Sequence, residues 1–207
     1  MMSKSRRHWP ATIAAAALIL GAASIAGAQK ADASKGKAKG KTTHAPSHFR
    51  VIAPDLESKA RITLPHVFNA MGCNGQNISP ALQWLNAPAG TKSFAVTAYD
   101  PDAPTGSGWW HWVMYNIPAS TTELAAGAGN GRNAPNGSAE GLTDFGTKGY
   151  GGPCPPKGDK PHHYHFTVFA LKVDKLDLPG NATAAMVGFN LNANKLATAR
   201  VTGLYGR

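Results

Sequence analysis

The sequence lacks the short signatures of the common hydrolytic and nucleotide-using enzymes. It has no G-x-S-x-G nucleophile elbow, no H-E-x-x-H pair and no phosphate-cradling P-loop. No repeat of fixed period appears, which excludes a solenoid or propeller. The longest apolar run, from Ala11 to Ile25, falls short of the roughly 20 residues that cross a bilayer. Cysteine is almost absent: the first is Cys73 and the other is Cys154, so lipid attachment at a cysteine by the cleavage site is not expected. Acidic residues are few, 11 against 21 lysines and arginines, which gives the chain a net charge of +10. Most of that excess lies outside the body of the chain.

The first 28 residues read as a targeting segment. Lys4, Arg6 and Arg7 form a positive start, the apolar run follows, and Ala26-Gly27-Ala28 offers a small-x-small cleavage site before Gln29. From Gln29 to Lys41 come five lysines against Asp32 with no large apolar residue, a composition that cannot bury a core. Residues 29–47 are therefore expected to be a disordered basic linker. The remaining body, 48–207, is only mildly basic, so its charge gives no argument for nucleic-acid binding. Its length suits one domain with a real core. In an exported chain, Cys73 and Cys154 are expected to pair as a disulfide rather than remain free thiols.

Period-two alternation dominates the body. In Ser93 to Asp100, Phe94, Val96, Ala98 and Asp100 fall on one face. Trp110 to Ile117 is a second strand, with His111, Val113, Tyr115 and Ile117 expected on one side. Tyr164 to Leu171 is a third, with Tyr164, Phe166, Val168 and Ala170 sharing a face. Arg50–Ile52 and Leu196–Tyr205 complete the strands. One helix is expected from Ala182 to about Asn190, capped by Asn181. Strands with one late helix predict a mainly β fold, an antiparallel β-sandwich.

The stretch Tyr150 to Phe166, YGGPCPPKGDKPHHYHF, holds four prolines, three glycines and three histidines. Proline fixes φ and glycine admits shapes closed to other residues, so this loop should have one defined form. If the three strands run antiparallel, the end of the first, the start of the second and the start of the third lie together. Asp100, His111, His162 and Tyr164 would then line one mouth, with Asp100 held extended by Pro101. Imidazole, phenol and backbone N–H groups can donate to phosphate oxygens, so the mouth suits a small anion. A general-base pair of Asp100 and His111 acting on a small ester or phosphate is the enzymatic alternative. His163 and His165 share a face and leave a metal reading open.

Asp100-Pro101-Asp102-Ala103-Pro104, Trp110-His111-Trp112 and Gly151-Gly152-Pro153-Cys154-Pro155-Pro156-Lys157-Gly158 followed by His162 and Tyr164 together resemble the phosphatidylethanolamine-binding protein family. Within it the chain is most similar to the bacterial Raf-kinase-inhibitor-like branch. Asn77-Ile78-Ser79-Pro80, Thr143-Asp144-Phe145-Gly146 and Thr202 to Arg207 extend the likeness. The resemblance implies a β-sandwich with a short C-terminal helix and a pocket for phosphate-like groups or phospholipid head groups, with binding rather than catalysis as its function. Carried over by motif, the ligand-binding set is Asp100, Asp102, Trp110, His111, Pro155, Pro156, His162 and Tyr164. No metal or other cofactor is implied. Peripheral membrane contact, a homodimer and a regulatory protein partner are all compatible with it, and the leader points to a periplasmic or secreted protein. N-terminal sequencing of exported material should begin at Gln29; a cytoplasmic product retaining Met1 would refute the leader.

Overall fold

In the computed structural model, residues 48–56 and 61–207 are described. The targeting segment and basic linker expected from the sequence lie outside them. Among the described residues are eight strands and one α-helix: β1 (Arg50–Ile52), β2 (Leu82–Leu85), β3 (Ser93–Asp100), β4 (Trp109–Pro118), β5 (Glu123–Leu124), β6 (Ala139–Glu140), β7 (His162–Leu171), α1 (Ala184–Asn194) and β8 (Lys195–Tyr205). They make two antiparallel sheets, one in the order β1-β2-β5 and one in the order β6-β4-β3-β7-β8. The expected mainly β fold with a short C-terminal helix is what the chain adopts.

The core follows the alternation. Phe94, Val96 and Ala98 of β3 pack with Tyr164, Phe166, Val168 and Ala170 of β7, and Leu82, Trp84 and Leu124 of the small sheet close over them. The opposite face of the large sheet is also covered: Ala95, Val113 and Tyr115 pack under Ala184, Val187 and Leu191 of α1. Small residues at Ala95 and Ala184 keep the sheet and the helix layer compatible in close packing. α1 is capped by Thr183, whose hydroxyl accepts from the Met186 N–H, so the helix starts two residues after the expected position.

The alternation expected for β4 fails, because two bulges interrupt its pairing with β3. Trp110 opposes Tyr99 and Trp112 opposes Ala98, which leaves His111 as an inserted residue. A second extra residue lies between Met114 and Ile117, where Asn116 takes φ 58°. Each insertion resets which side chains face the core. His111, Trp112, Met114 and Ile117 face the inter-sheet side, while Val113 and Tyr115 face the helix. Asn116 uses its unusual backbone to bond both polar groups of Leu176, its Nδ2 donating to the carbonyl at 3.1 Å and its Oδ1 accepting from the N–H at 2.7 Å.

Cys73 and Cys154 form a disulfide, with Cα atoms 6.0 Å apart and 81 residues of sequence separation. Closing a loop of that size restrains the unfolded chain and stabilises the fold by about 4 kcal/mol in the loop-entropy account. Cys73→Ser in urea denaturation should lose stability on that scale, and intact mass without reductant should show no alkylatable thiol; an unchanged midpoint would count against the bond's role.

Candidate functional site

The end of β3, the start of β4 and the start of β7 meet at one end of the large sheet. A cavity of about 280 Å³ opens there, with Asp100, His111, His162 and Tyr164 at its polar end. Trp109, Phe145, Pro104, Pro155, Pro156 and Met71 supply apolar walls, and Arg207 stands at its side.

Asp100 is 2% exposed, and its carboxylate is fully engaged. Oδ1 accepts from the backbone N–H of Asp102 at 2.8 Å and of Ala103 at 3.1 Å, and Oδ2 accepts from His162 Nδ1 at 2.8 Å. A buried carboxylate requires such partners, and these three fix the 101–103 turn and the His162 ring together. The bond leaves His162 Nε2 directed away from Asp100, 3.5 Å from the carboxylate of Asp159.

His111 is held differently. Its Nδ1 lies 2.7 Å from the Gly151 carbonyl, and the Gly151 N–H donates back to the His111 carbonyl at 2.8 Å. A carbonyl only accepts, so Nδ1 carries the hydrogen and Nε2 is left with a lone pair in the neutral ring. Burial holds this imidazole well below its usual range, at about 4, against the opposing pull of the Gly151 carbonyl and the Asp100 charge. The ring packs edge-on against Phe145 and Tyr164, with centroids 5.4 and 5.1 Å away. Tyr164 is 1% exposed and its hydroxyl has no hydrogen-bond partner. Burial, with the nearby Asp100 charge, pushes this phenol upward, so it remains protonated.

The loop that carries Pro155 and Pro156 is pinned from several sides. Asn77 accepts from the Gly152 N–H at 2.7 Å and donates to the Tyr150 carbonyl at 3.1 Å, and the Phe68 N–H donates to the Pro153 carbonyl. Arg207 donates through Nε to the Pro155 carbonyl and through Nη1 to the Gly72 carbonyl, both at 2.7 Å. Gly151 and Gly152 lie so close to the Phe145 ring and the His66 carbonyl that a Cβ at either would collide. This is why the glycine pair precedes the prolines.

Six of the eight expected ligand residues line the cavity, and two do not. Asp102 lies outside, where its Oδ2 accepts from the His163 N–H and Nδ1, both at 2.7 Å; it clips the 101–108 loop to β7. Its carboxyl is lowered chiefly by the backbone bond from His163. Trp110 packs on Tyr99 on the opposite face, and Trp109 takes the cavity wall. The physical reason is register: Trp109 is the partner of Asp100 across β3–β4, and paired residues point the same way. The Asp/His pairing also differs from expectation, since His162, not His111, bonds Asp100. Phe145, Met71 and Arg207 went unassigned in the sequence reading. Among them Phe145 and Arg207 stand in motifs that the family resemblance marks, Thr143 to Gly146 and Thr202 to Arg207, and Met71 stands in none. His163 bonds Asp102 and His165 bonds Thr202, and among the described residues no three His, Cys, Asp or Glu side chains gather as a metal site.

A two-sheet antiparallel fold thus carries, at the strand ends, a cavity with apolar walls, a few convergent polar groups and a proline-rich rim. The chain belongs to the phosphatidylethanolamine-binding protein family, whose model matches residues 54–206. The UPF0098 protein YbcL of Escherichia coli is 54% identical over 159 residues, covering 76% of this chain and 87% of YbcL. The crystal structure of YbcL, described as a new member of the mammalian PEBP family, superposes with a TM-score of 0.75 at 53% identity, over 78% of this chain and 99% of that one. YbhB of the same organism is 52% identical over 158 residues, covering 76% of this chain and 99% of YbhB. LppC of Mycobacterium tuberculosis, whose name classes it with lipoproteins, is 35% identical over 135 residues, covering 64% of this chain and 62% of LppC.

The depressed imidazole has a consequence for stability. His111 takes up a proton near 6.5 in the unfolded chain and near 4 in the folded one, so its stabilising effect is complete above pH 6.5 and lost as pH falls toward 4. The loss at pH 4 should reach about 3 kcal/mol. Denaturation of the wild type and His111→Gln at pH 4 and 7 should show a smaller acid penalty in the variant; equal penalties would place the acid sensitivity elsewhere.

Proposed function

We propose that this protein is an exported, non-catalytic binding protein whose cavity takes a phosphate-like group, free or on a phospholipid head. The observation that carries the reading is the cavity itself, which sets His111 and His162 at one end of an apolar-walled cleft with the Arg207 guanidinium at its side. A concave site with a few convergent polar groups suits a small polar head on an apolar body. Export is supported by the leader pattern, the disulfide and a lipoprotein-named relative.

The Asp100–His162 pair also has the geometry of an oriented base, which keeps the hydrolase alternative defined. The Thr105 hydroxyl and the Cys154 sulfur beside the cavity are committed elsewhere: Thr105 Oγ1 donates to the Gly108 carbonyl, and Cys154 is in the disulfide. Binding without turnover is therefore the reading we adopt. A regulatory partner, which the Raf-kinase-inhibitor-like resemblance permits, would act through the protein's surface, and its capture by a pocket-dead variant as well as by the wild type would favour that reading.

Inorganic phosphate titrated by NMR should shift resonances of Tyr164 and His162. His162→Ala and His111→Ala should each lose about 1.5–3 kcal/mol of binding, the scale of a hydrogen bond to a charged group. His163→Ala, outside the cavity, should bind as the wild type does. Shifts centred on His163 and His165, or unchanged affinity in either pocket variant, would remove the assignment.

A further inference from the structure

A second cavity, of about 470 Å³, lies behind the wall of the first. Phe145 and Gly151 line both, but Asp100, His111, His162 and Tyr164 line only the first. The 127–131 turn and the 147–151 loop frame this second space, joined where the Tyr150 N–H donates to the Gly129 carbonyl at 2.6 Å. Gly149 takes φ 93°, and a Cβ there would strike the Gly129 carbonyl and stand 3.6 Å from Glu140 Oε2. The glycine keeps open the space beside that carboxylate oxygen.

Glu140, half-buried at the end of β6, has one oxygen engaged and one free. Its Oε1 accepts from Trp112 Nε1 at 3.2 Å, while Oε2 has no hydrogen-bond partner among the described residues. Burial pushes the carboxyl upward, against the Trp112 bond and the charge of Lys148. Lys148 lines the same cavity, yet among the described residues it forms no ion pair with Glu140. Its side chain is exposed, and pinning an exposed lysine to a carboxylate gains little. Asn130 adds a neutral donor: its Oδ1 accepts from the Ser79 N–H at 3.0 Å, so its Nδ2 hydrogens are left to donate. The apolar wall is aromatic, with the Phe68 and Phe145 rings packed 4.7 Å apart beside Tyr150.

From this arrangement we infer that the second cavity binds a free α-amino acid with an apolar side chain, its ammonium donating to Glu140 Oε2, its carboxylate accepting from Asn130 Nδ2 and Lys148, and its side chain against Phe68 and Phe145. A ligand with only a positive charge would meet Lys148, and one with only a negative charge would meet Glu140. A zwitterion matches both, and each match is a hydrogen bond to a charged group. The inference uses none of the polar residues of the first cavity and does not rest on the phosphate reading.

Three probes separate a zwitterion site from a general one. L-phenylalanine, phenethylamine and 3-phenylpropionate share a ring and its spacing, but carry both charges, the ammonium alone and the carboxylate alone. In NMR titrations of the full chain at neutral pH, L-phenylalanine should shift the amides of residues 129–131 and 148–149. It should bind at least about tenfold more tightly than either half-ligand, the worth of one hydrogen bond to a charged group. Glu140→Gln keeps an acceptor for Trp112 and should weaken L-phenylalanine at least about tenfold without weakening 3-phenylpropionate. Lys148→Met should weaken 3-phenylpropionate and leave phenethylamine no weaker. Equal affinity for the three probes, or unchanged L-phenylalanine binding in Glu140→Gln, would overturn the inference. So would shifts centred on His162, or no shift up to about 10 mM, where even a millimolar site is mostly filled. None of these results bears on phosphate binding in the first cavity.

Discussion

The buried carboxylate of Asp100 is the constraint from which the rest of the site follows. A carboxylate with 2% exposure has to find hydrogen-bond donors inside the protein, because an unmatched one would be far more costly than the strand end it sits on. It finds them in the next turn of its own chain and in His162, 62 residues away, at 2.8 Å. One side chain thus closes the 101–103 turn, sets the orientation of an imidazole and joins β3 to β7 at the cavity.

The proline-rich loop answers a separate requirement. It must approach β4 closely enough for His111 and Gly151 to exchange two bonds, yet hold Pro155 and Pro156 out as a wall. Glycines at 151 and 152 permit the approach, Asn77 bonds the backbone on either side of it, and the disulfide fixes the middle of the loop to residue 73. Arg207 completes the wall from the other end of the chain by capping the Pro155 carbonyl. The aromatic contacts of His111 with Phe145 and Tyr164 then bury the ring, and burial is what keeps it neutral. Rigidity of the loop and the protonation state of the histidine therefore have a common origin in how close the loop packs.

Alternation and turn chemistry made much of this legible. β3 and β7 read correctly because both have uninterrupted period two and pair in register from Ser93–Leu171 to Tyr99–His165. β4 did not, because a bulge adds a residue without leaving a mark in an aromatic-rich strand: Trp109, Trp110 and Trp112 look alike to a period count. The error at Trp110 and the mistaken pairing of Asp100 with His111 have this one cause. Asp102 was misplaced for a simpler reason, since Pro101 turns the chain and sends the next side chain outward to His163.

Residue order alone was enough for the mainly β class, the faces of β3 and β7, the cysteine pair and the meeting of Asp100, His111, His162 and Tyr164 at one sheet end. Those features depend on periodicity, residue chemistry and strand direction, all of which are local or follow from antiparallel pairing. It took the folded chain to show which histidine bonds Asp100, which tryptophan lines the cavity, that Arg207 belongs to it, and that the neutral His111 ring offers a lone pair there. Each of these depends on a bulge or on a contact between segments distant in sequence, and neither leaves a periodic trace in the chain.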